Sequence, residues 1–190
     1  MENNLSAMEG KGTVDLVKKL TQRPPSFGTK MAAVAVILSE EVPPKTLLIR
    51  RAEREGDPWS GQIAFPGGKF QEGDESPEQT AVREAKEEVG IDLESCSEFL
   101  GYFRPFRTHT GNMEVVPAVF RLRSSVPVTI DEEASSFQWV DLESLLSNDS
   151  RTTSRVIQGG KPRDVPAIRA GDYIIWGLTH RIISSLLTEK

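Results

Sequence analysis

The chain is poor in the residues that build disulfides and soft-metal sites. It has one cysteine, Cys96, and two histidines, His109 and His180. An internal disulfide cannot form, and a zinc site of spaced Cys and His has no ligand set. Positive charge is not in excess either. Lys and Arg number 23 against 28 Asp and Glu, a formal net charge of −5. That is the reverse of the basic surplus on which non-specific nucleic-acid binding draws. An anionic small molecule is not excluded, because a bound divalent cation reverses the local sign. No apolar run reaches membrane-spanning length, and the first twenty residues lack the apolar stretch of a signal peptide. The expectation is a cytoplasmic protein that binds neither nucleic acid nor membrane.

What is present suits a globular domain. With 190 residues, 37% of them hydrophobic, the chain can bury a core without covalent staples. Residues 1–27 read as an N-terminal extension carrying a short helix at 14–20, and residues 28–190 as a single domain. The near-continuous apolar run 31–38, MAAVAVIL, reads as a buried central strand. Further strands are expected at 46–51, 62–65, 99–106, 114–122 and 137–140, and helices at 76–89, 142–146 and 176–187. The polar stretch 148–171 is long for a connection. A dimer arm and a substrate lid are both open readings of it, as is a homodimer. This order of elements predicts an α/β fold with a mixed central sheet between helices. Trp139 and Trp176 are expected in the core, and Cys96 as a small buried hydrophobe.

The helix at 76–89 has the strongest signals. Ser76 can cap it, Pro77 suits the first helical position, Gln79 can complete a capping box, and Gly90 can end it. Ala81, Val82, Ala85 and Val89 form an apolar stripe. Glu84, Glu87 and Glu88 fall on a different face at i, i+3 and i+4, where like charges repel by a few tenths of a kcal/mol per pair. A divalent cation would offset that repulsion, since hard cations take oxygen ligands and are shared with substrate phosphates. Taken alone, EAKEE is more simply a solvated face with Arg83 and Lys86 as counter-charges. The preceding loop changes the balance.

Gly67-Gly68, then Glu75, then Arg83–Ile91 (REAKEEVGI) closely resemble the Nudix box: a glycine, five residues, a glutamate, seven residues, then Arg-Glu-apolar-any-Glu-Glu-any-Gly-apolar. Six residues rather than five separate Gly68 from Glu75, and Asp74 stands at the expected distance from the glycine. The departure reads as a one-residue loop insertion that leaves the helical half in register. The resemblance implies an α/β/α sandwich over roughly residues 28–188. It also implies that Glu84, Glu87 and Glu88 bind Mg²⁺, or Mn²⁺ in its place, with the Gly68 carbonyl as a further ligand. Arg83 and Glu75 would pair to hold the loop against the helix. Activated water would attack a phosphorus of a nucleotide-like diphosphate, with Glu84 as the first choice of base and Glu132 or Glu133 as alternatives.

Two further segments resemble the coenzyme A pyrophosphatase branch of that family, namely Ser60–Gly68 (SGQIAFPGG) and Ile175–Ile182 (IWGLTHRI). They imply cleavage of coenzyme A to 3′,5′-ADP and 4′-phosphopantetheine. The segment before Gly61, RRAEREGDPWS, departs from that branch's usual pattern. Arg50, Arg51, Arg54, Ser60, Gln62 and Trp59 are the candidate substrate contacts, the arginines by charge and the indole by stacking. Solvated strand ends and an edge-packed indole are the plain readings of the same residues. His109 falls in a loop that could touch substrate, and His180 reads as a packing or surface residue. Rival expectations are ADP-ribose, NADH, dinucleoside polyphosphates or nucleoside triphosphates as substrate, or a silent nucleotide-binding module.

Overall fold

The computed structural model describes residues 16–187 apart from 27, 58, 110 and 159. Strand β1 (Met31–Leu38) is apolar throughout because it lies inside a mixed eight-stranded sheet. It runs parallel to β7 (Glu114–Leu122), from Met31 opposite Glu114 to Leu38 opposite Arg121. Its other edge is antiparallel, to β2 (Lys45–Arg51) at one end and β4 (Gly67–Lys69) at the other. Short β3 (Ile63–Ala64) and the full length of β8 (Ala134–Asp141) pair with β2. Strands β5 (Ser97–Tyr102) and β6 (Phe106–Arg107) pair with β7.

Alternation along β1 and β2 sends side chains to two separate cores. On one face Ala33, Ala35, Ile37, Leu47 and Ile49 pack with Ala81, Ala85 and Val89 of helix α1 (Pro77–Val89). On the other, Val36, Leu38 and Leu48 pack with Ile182, Ile183 and Leu186 of the C-terminal helix (Gly177–Leu187). Burial of one such side chain stabilises the fold by about 1.5–3 kcal/mol. The expected α/β/α sandwich with a mixed sheet is therefore the architecture found. Short helices α2 (Leu93–Cys96) and α3 (Leu142–Leu146) complete the connections, and Gly177–Leu187 is α4.

Helix α1 is closed by the caps its sequence predicts. Ser76 Oγ accepts from the Gln79 N–H at 3.2 Å, Pro77 occupies the first turn, and Gly90 adopts φ 69°. The expected capping box is displaced by one residue: Gln79 Oε1 accepts at 2.6 Å from the N–H of Glu75, the residue before the capping Ser76. Ala81, Ala85 and Val89 of the apolar stripe are buried and Val82 partly so, but the three glutamates do not share one environment. Glu84 and Glu88 are buried, whereas the Glu87 side chain is half exposed.

The stretch 148–171 is not a loop. It folds into β9 (Arg151–Gln158) and β10 (Lys161–Ala170), which continue into β11 (Tyr173–Trp176) as a three-stranded antiparallel sheet. Its alternation of Thr, Ser and Arg with Val156, Val165 and Ala167 is a strand pattern that the overall polarity masks. The helix expected at 14–20 begins outside the described residues. Leu16 and Val17 are helical, Leu16 is buried in the α4-side core, and Thr21 bridges to Tyr102. Trp139 and Trp176, expected in the core, are only partly buried, as is Cys96. Trp139 on edge strand β8 and Cys96 at the end of α2 still pack against the α1-side core, and Trp176 is the last residue of β11.

Candidate functional site

Close backbone approach builds the site. A Cβ on Gly67 would meet the Ala33 carbonyl oxygen, with the Val34 Cα at 2.6 Å. A Cβ on Gly68 would meet the Glu84 carboxylate. Only glycine lets β4 lie against β1 on one side and the α1 carboxylates on the other. The Gly67 N–H then donates to Glu88 Oε2 at 2.8 Å. Glu88 is 2% exposed, and its nearest described cation is Arg51, whose Nη1 stands 3.9 Å from Oε1. Burial raises the Glu88 pKa to about 7, against the opposing pull of the Gly67 N–H. Burial also raises that of Glu84, opposed by Arg83.

Arg83 organises the other half. Its guanidinium donates to Glu84 Oε1 at 2.7 Å, to Glu87 Oε2 at 3.0 Å and to the Lys69 carbonyl at 3.1 Å. It also grips Asp74, Nε to Oδ1 at 3.3 Å and Nη2 to Oδ2 at 3.1 Å. Asp74 Oδ2 accepts in addition from the buried Thr80 hydroxyl at 2.7 Å and the Gln71 N–H at 3.0 Å. Burial would raise the Asp74 carboxyl pKa, but Arg83 and these donors hold it below the usual range. The expected pairing of Arg83 with Glu75 is thus corrected: Asp74 holds the loop, and Glu75 is exposed at the helix entrance. The extra residue lies after the anchoring acid, not before it, so the glycine-to-acid spacing is kept.

Among the described residues, no three of His, Cys, Asp and Glu stand ready to hold a metal ion. The Arg83 guanidinium lies between Glu84 and Glu87. The donor chemistry nonetheless fits a hard divalent cation. It offers carboxylate oxygens only, one of them buried with no cation closer than 3.9 Å.

Arg50 and Arg51 do not converge. Arg51 faces α1, where Nη2 pairs with Asp57 Oδ2 at 3.3 Å. Arg50 faces the opposite side, 5.2 Å over the Tyr173 ring and donating to the Asp172 carbonyl at 3.1 Å. Adjacent strand residues point to opposite faces, so the pair could not serve one pocket together. Ser60 Oγ accepts from the Arg54 N–H at 2.9 Å, and the Gln62 carbonyl accepts from the Arg51 N–H at 3.0 Å. Both shape the loop that presents Trp59, which is 44% exposed. Arg54 reaches Glu133 at 3.3 Å, which brings that acid to the same end of the sheet. Asp57 and Thr80 had no signal in the sequence. His109 is exposed in a turn, and His180 is half-buried on α4.

Similarity to known proteins is extensive. The NUDIX domain model matches residues 29–158. A Yersinia pestis protein named "Uncharacterized Nudix hydrolase NudL" is 34% identical over 165 residues, covering 86% of this chain and 81% of its own. Its Yersinia pseudotuberculosis counterpart matches equally well. Among solved structures, the Mycobacterium smegmatis Nudix hydrolase RenU superposes with a TM-score of 0.52 at 20% identity, over 64% of this chain and 76% of that one. A MutT/nudix family protein of Enterococcus faecalis gives 0.52 at 22% identity, over 86% and 62%. At these identities the structural matches speak for the fold.

Proposed function

The chain belongs to the Nudix family and is a Nudix hydrolase, and from that premise we propose that it cleaves the diphosphate bond of coenzyme A or a coenzyme A derivative, giving 3′,5′-ADP and 4′-phosphopantetheine. The observation that carries the reading is the Gly67–Glu88 contact. The segment Ser60–Gly68, on which the branch resemblance rests, leads directly into the strand whose N–H meets the buried acid of α1. The second such segment, Ile175–Ile182, lines the opposite core with Ile175 and Ile182 fully buried. We read residues 28–190 as one catalytic domain.

In this reading Glu84, Glu87 and Glu88, with the Gly68 carbonyl, would hold Mg²⁺ or Mn²⁺. Such an ion, when bound, lowers the pKa of water and offsets phosphate charge. Glu84 is the base, its raised pKa suiting a group that takes a proton from the attacking water. Glu133, tied to Arg54, is the alternative base. Arg83, held by Asp74, keeps the loop in place and can exchange Glu87 for a phosphate oxygen. Arg51 supports Glu88. Trp59, with Ser60 and Gln62 shaping its loop, offers an exposed ring for a base, and Arg50 serves the opposite face.

The test is product analysis with Mg²⁺ over coenzyme A, ADP-ribose, NADH, dinucleoside polyphosphates and nucleoside triphosphates, with Glu88→Gln as control. The expected result is the highest kcat/KM on coenzyme A, with 3′,5′-ADP as product. Preference for another compound overturns the substrate while keeping the chemistry. No turnover of any compound brings forward a nucleotide-binding role.

A further inference from the structure

The loop between β2 and β3 is built around Asp57. Its N–H donates to the Arg54 carbonyl at 3.3 Å, and its carbonyl accepts from the Ser60 N–H at 3.1 Å. Its carboxylate is largely buried, so both oxygens need donors. Oδ1 accepts from the Trp59 N–H at 2.9 Å, a local contact that shapes the turn. Oδ2 accepts from Arg51 Nη2 at 3.3 Å, at the end of β2. The first contact is all that forming the loop requires. The second ties the loop to the acids of α1.

The surroundings of Arg51 give that tie its consequence. Glu88 Oε2 is taken by the Gly67 N–H, which leaves Oε1 as the oxygen for a cation. Arg51 Nη1 stands 3.9 Å from that same Oε1, about 1 Å beyond a charge-assisted hydrogen bond. Among the described residues, the bond to Asp57 is the only hydrogen bond the guanidinium makes, and its Nε is buried with no acceptor. A guanidinium with so many unused donors closes on the nearest carboxylate unless another acid holds it. Asp57 is that acid. Closed onto Oε1, Arg51 would take the position a hard divalent ion needs. Held at 3.9 Å, its charge still reaches the buried acid and the oxygen stays open.

We propose that Asp57 is a positioning residue for the reaction: one carboxylate oxygen holds Arg51 at ion-pair range of Glu88 without closure, and the other fixes the chain at Trp59. The acid on α1 and the loop that meets the substrate thereby keep one geometry. The inference deepens the reading above and rests on it for the roles of Glu88 and Trp59. Asp57 itself touches neither substrate nor ion.

Mn²⁺ alone, titrated calorimetrically into the metal-free full chain, reads the effect without turnover. Asp57→Asn keeps the shape but offers one acceptor oxygen to two donors, and no charge. It is expected to weaken Mn²⁺ binding about tenfold, as loss of a supporting partner does. In the Arg51→Ala background the same substitution should change nothing further, because the effect runs through Arg51. Asp57→Ser, whose hydroxyl also accepts from an N–H two residues on, repeats the test if the amide variant fails to fold. Equal Mn²⁺ affinity in the wild type and the uncharged variant overturns the proposal. So does a loss that persists undiminished in Arg51→Ala, which would make Asp57 a residue that only shapes the loop. Turnover of coenzyme A separates the two claims. Affinities that behave as expected while coenzyme A stays intact keep the positioning role and remove the proposed substrate. Cleavage of coenzyme A with a Mn²⁺ affinity indifferent to Asp57 does the opposite. A wild type that binds no Mn²⁺ overturns the positioning role and the metal site together.

Discussion

Asp74 and Arg83 form a two-point ion pair across the turn that leads into α1, with Nε and Nη2 of the guanidinium on the two carboxylate oxygens. The same guanidinium touches Glu84, Glu87 and the Lys69 carbonyl. Asp74 therefore sets where Arg83 sits, and Arg83 sets the spacing of two of the three acids.

Removing Asp74 should accordingly act on catalysis. Asp74→Ala is expected to lower kcat/KM by about 10–100-fold, the usual effect of losing a supporting partner. Glu75→Ala, at an exposed position, should stay within about 0.5 kcal/mol of wild type in stability and keep its activity. Steady-state kinetics on the two variants side by side decides whether the anchoring acid has been assigned to the right residue.

Glu88 should make the metal-free protein less stable as pH rises. Its folded pKa is about 7 against 4.5 for the free side chain. Between those values the folded state holds more protons than the unfolded, so stability falls with increasing pH, by up to about 3 kcal/mol once both have ionised. Mg²⁺ should restore stability more at pH 8 than at pH 5, and EDTA should reverse this. Glu88→Gln should flatten the profile, lose activity and leave the metal-free protein more stable at pH 8. Thermal unfolding across pH, with and without Mg²⁺, reads all of this, and a midpoint that climbs from pH 5 to 8 without metal would contradict it.

The glycine pair should separate folding from function. In Gly67→Ala the new methyl meets backbone, which cannot yield cheaply, so destabilisation by roughly 1–3 kcal/mol is expected. In Gly68→Ala it meets the Glu84 carboxylate, which can swing away, so the fold persists and turnover is lost. Circular dichroism melts paired with activity assays distinguish the two. A fully active Gly68→Ala would show that the position of Glu84 does not matter.

The neighbouring arginines should differ in kind. Arg51→Ala removes the nearest described cation from Glu88 and is expected to cost about 10–100-fold in activity or metal affinity. Arg50→Ala loses a contact over Tyr173, worth about 0.5–1 kcal/mol of stability, and leaves the chemistry on the α1 face alone. Matching losses of kcat/KM in the two would mean that both faces of β2 serve one pocket.

Much of this was legible in the chain itself, because it is local. Ser76, Pro77, Gln79 and Gly90 specify the ends of α1, and the spacing of Ala81, Ala85 and Val89 specifies its buried stripe, since capping and helical periodicity act within a few residues. The apolar run of β1 announces a central strand for the same reason. The β9–β10 hairpin was hidden, because its polar alternation is satisfied by pairing with a strand whose position no local pattern reveals.

The sequence by itself determined the helix, its three glutamates and the glycines before it. Only the tertiary structure decided that Asp74 rather than Glu75 meets Arg83, and that Arg50 and Arg51 part company. Hydrogen bonds and ion pairs act over a few ångströms of space, and spacing along a chain fixes such distances only where the backbone between is regular. Across a turn, a sheet face or a pair of cores, the fold sets them.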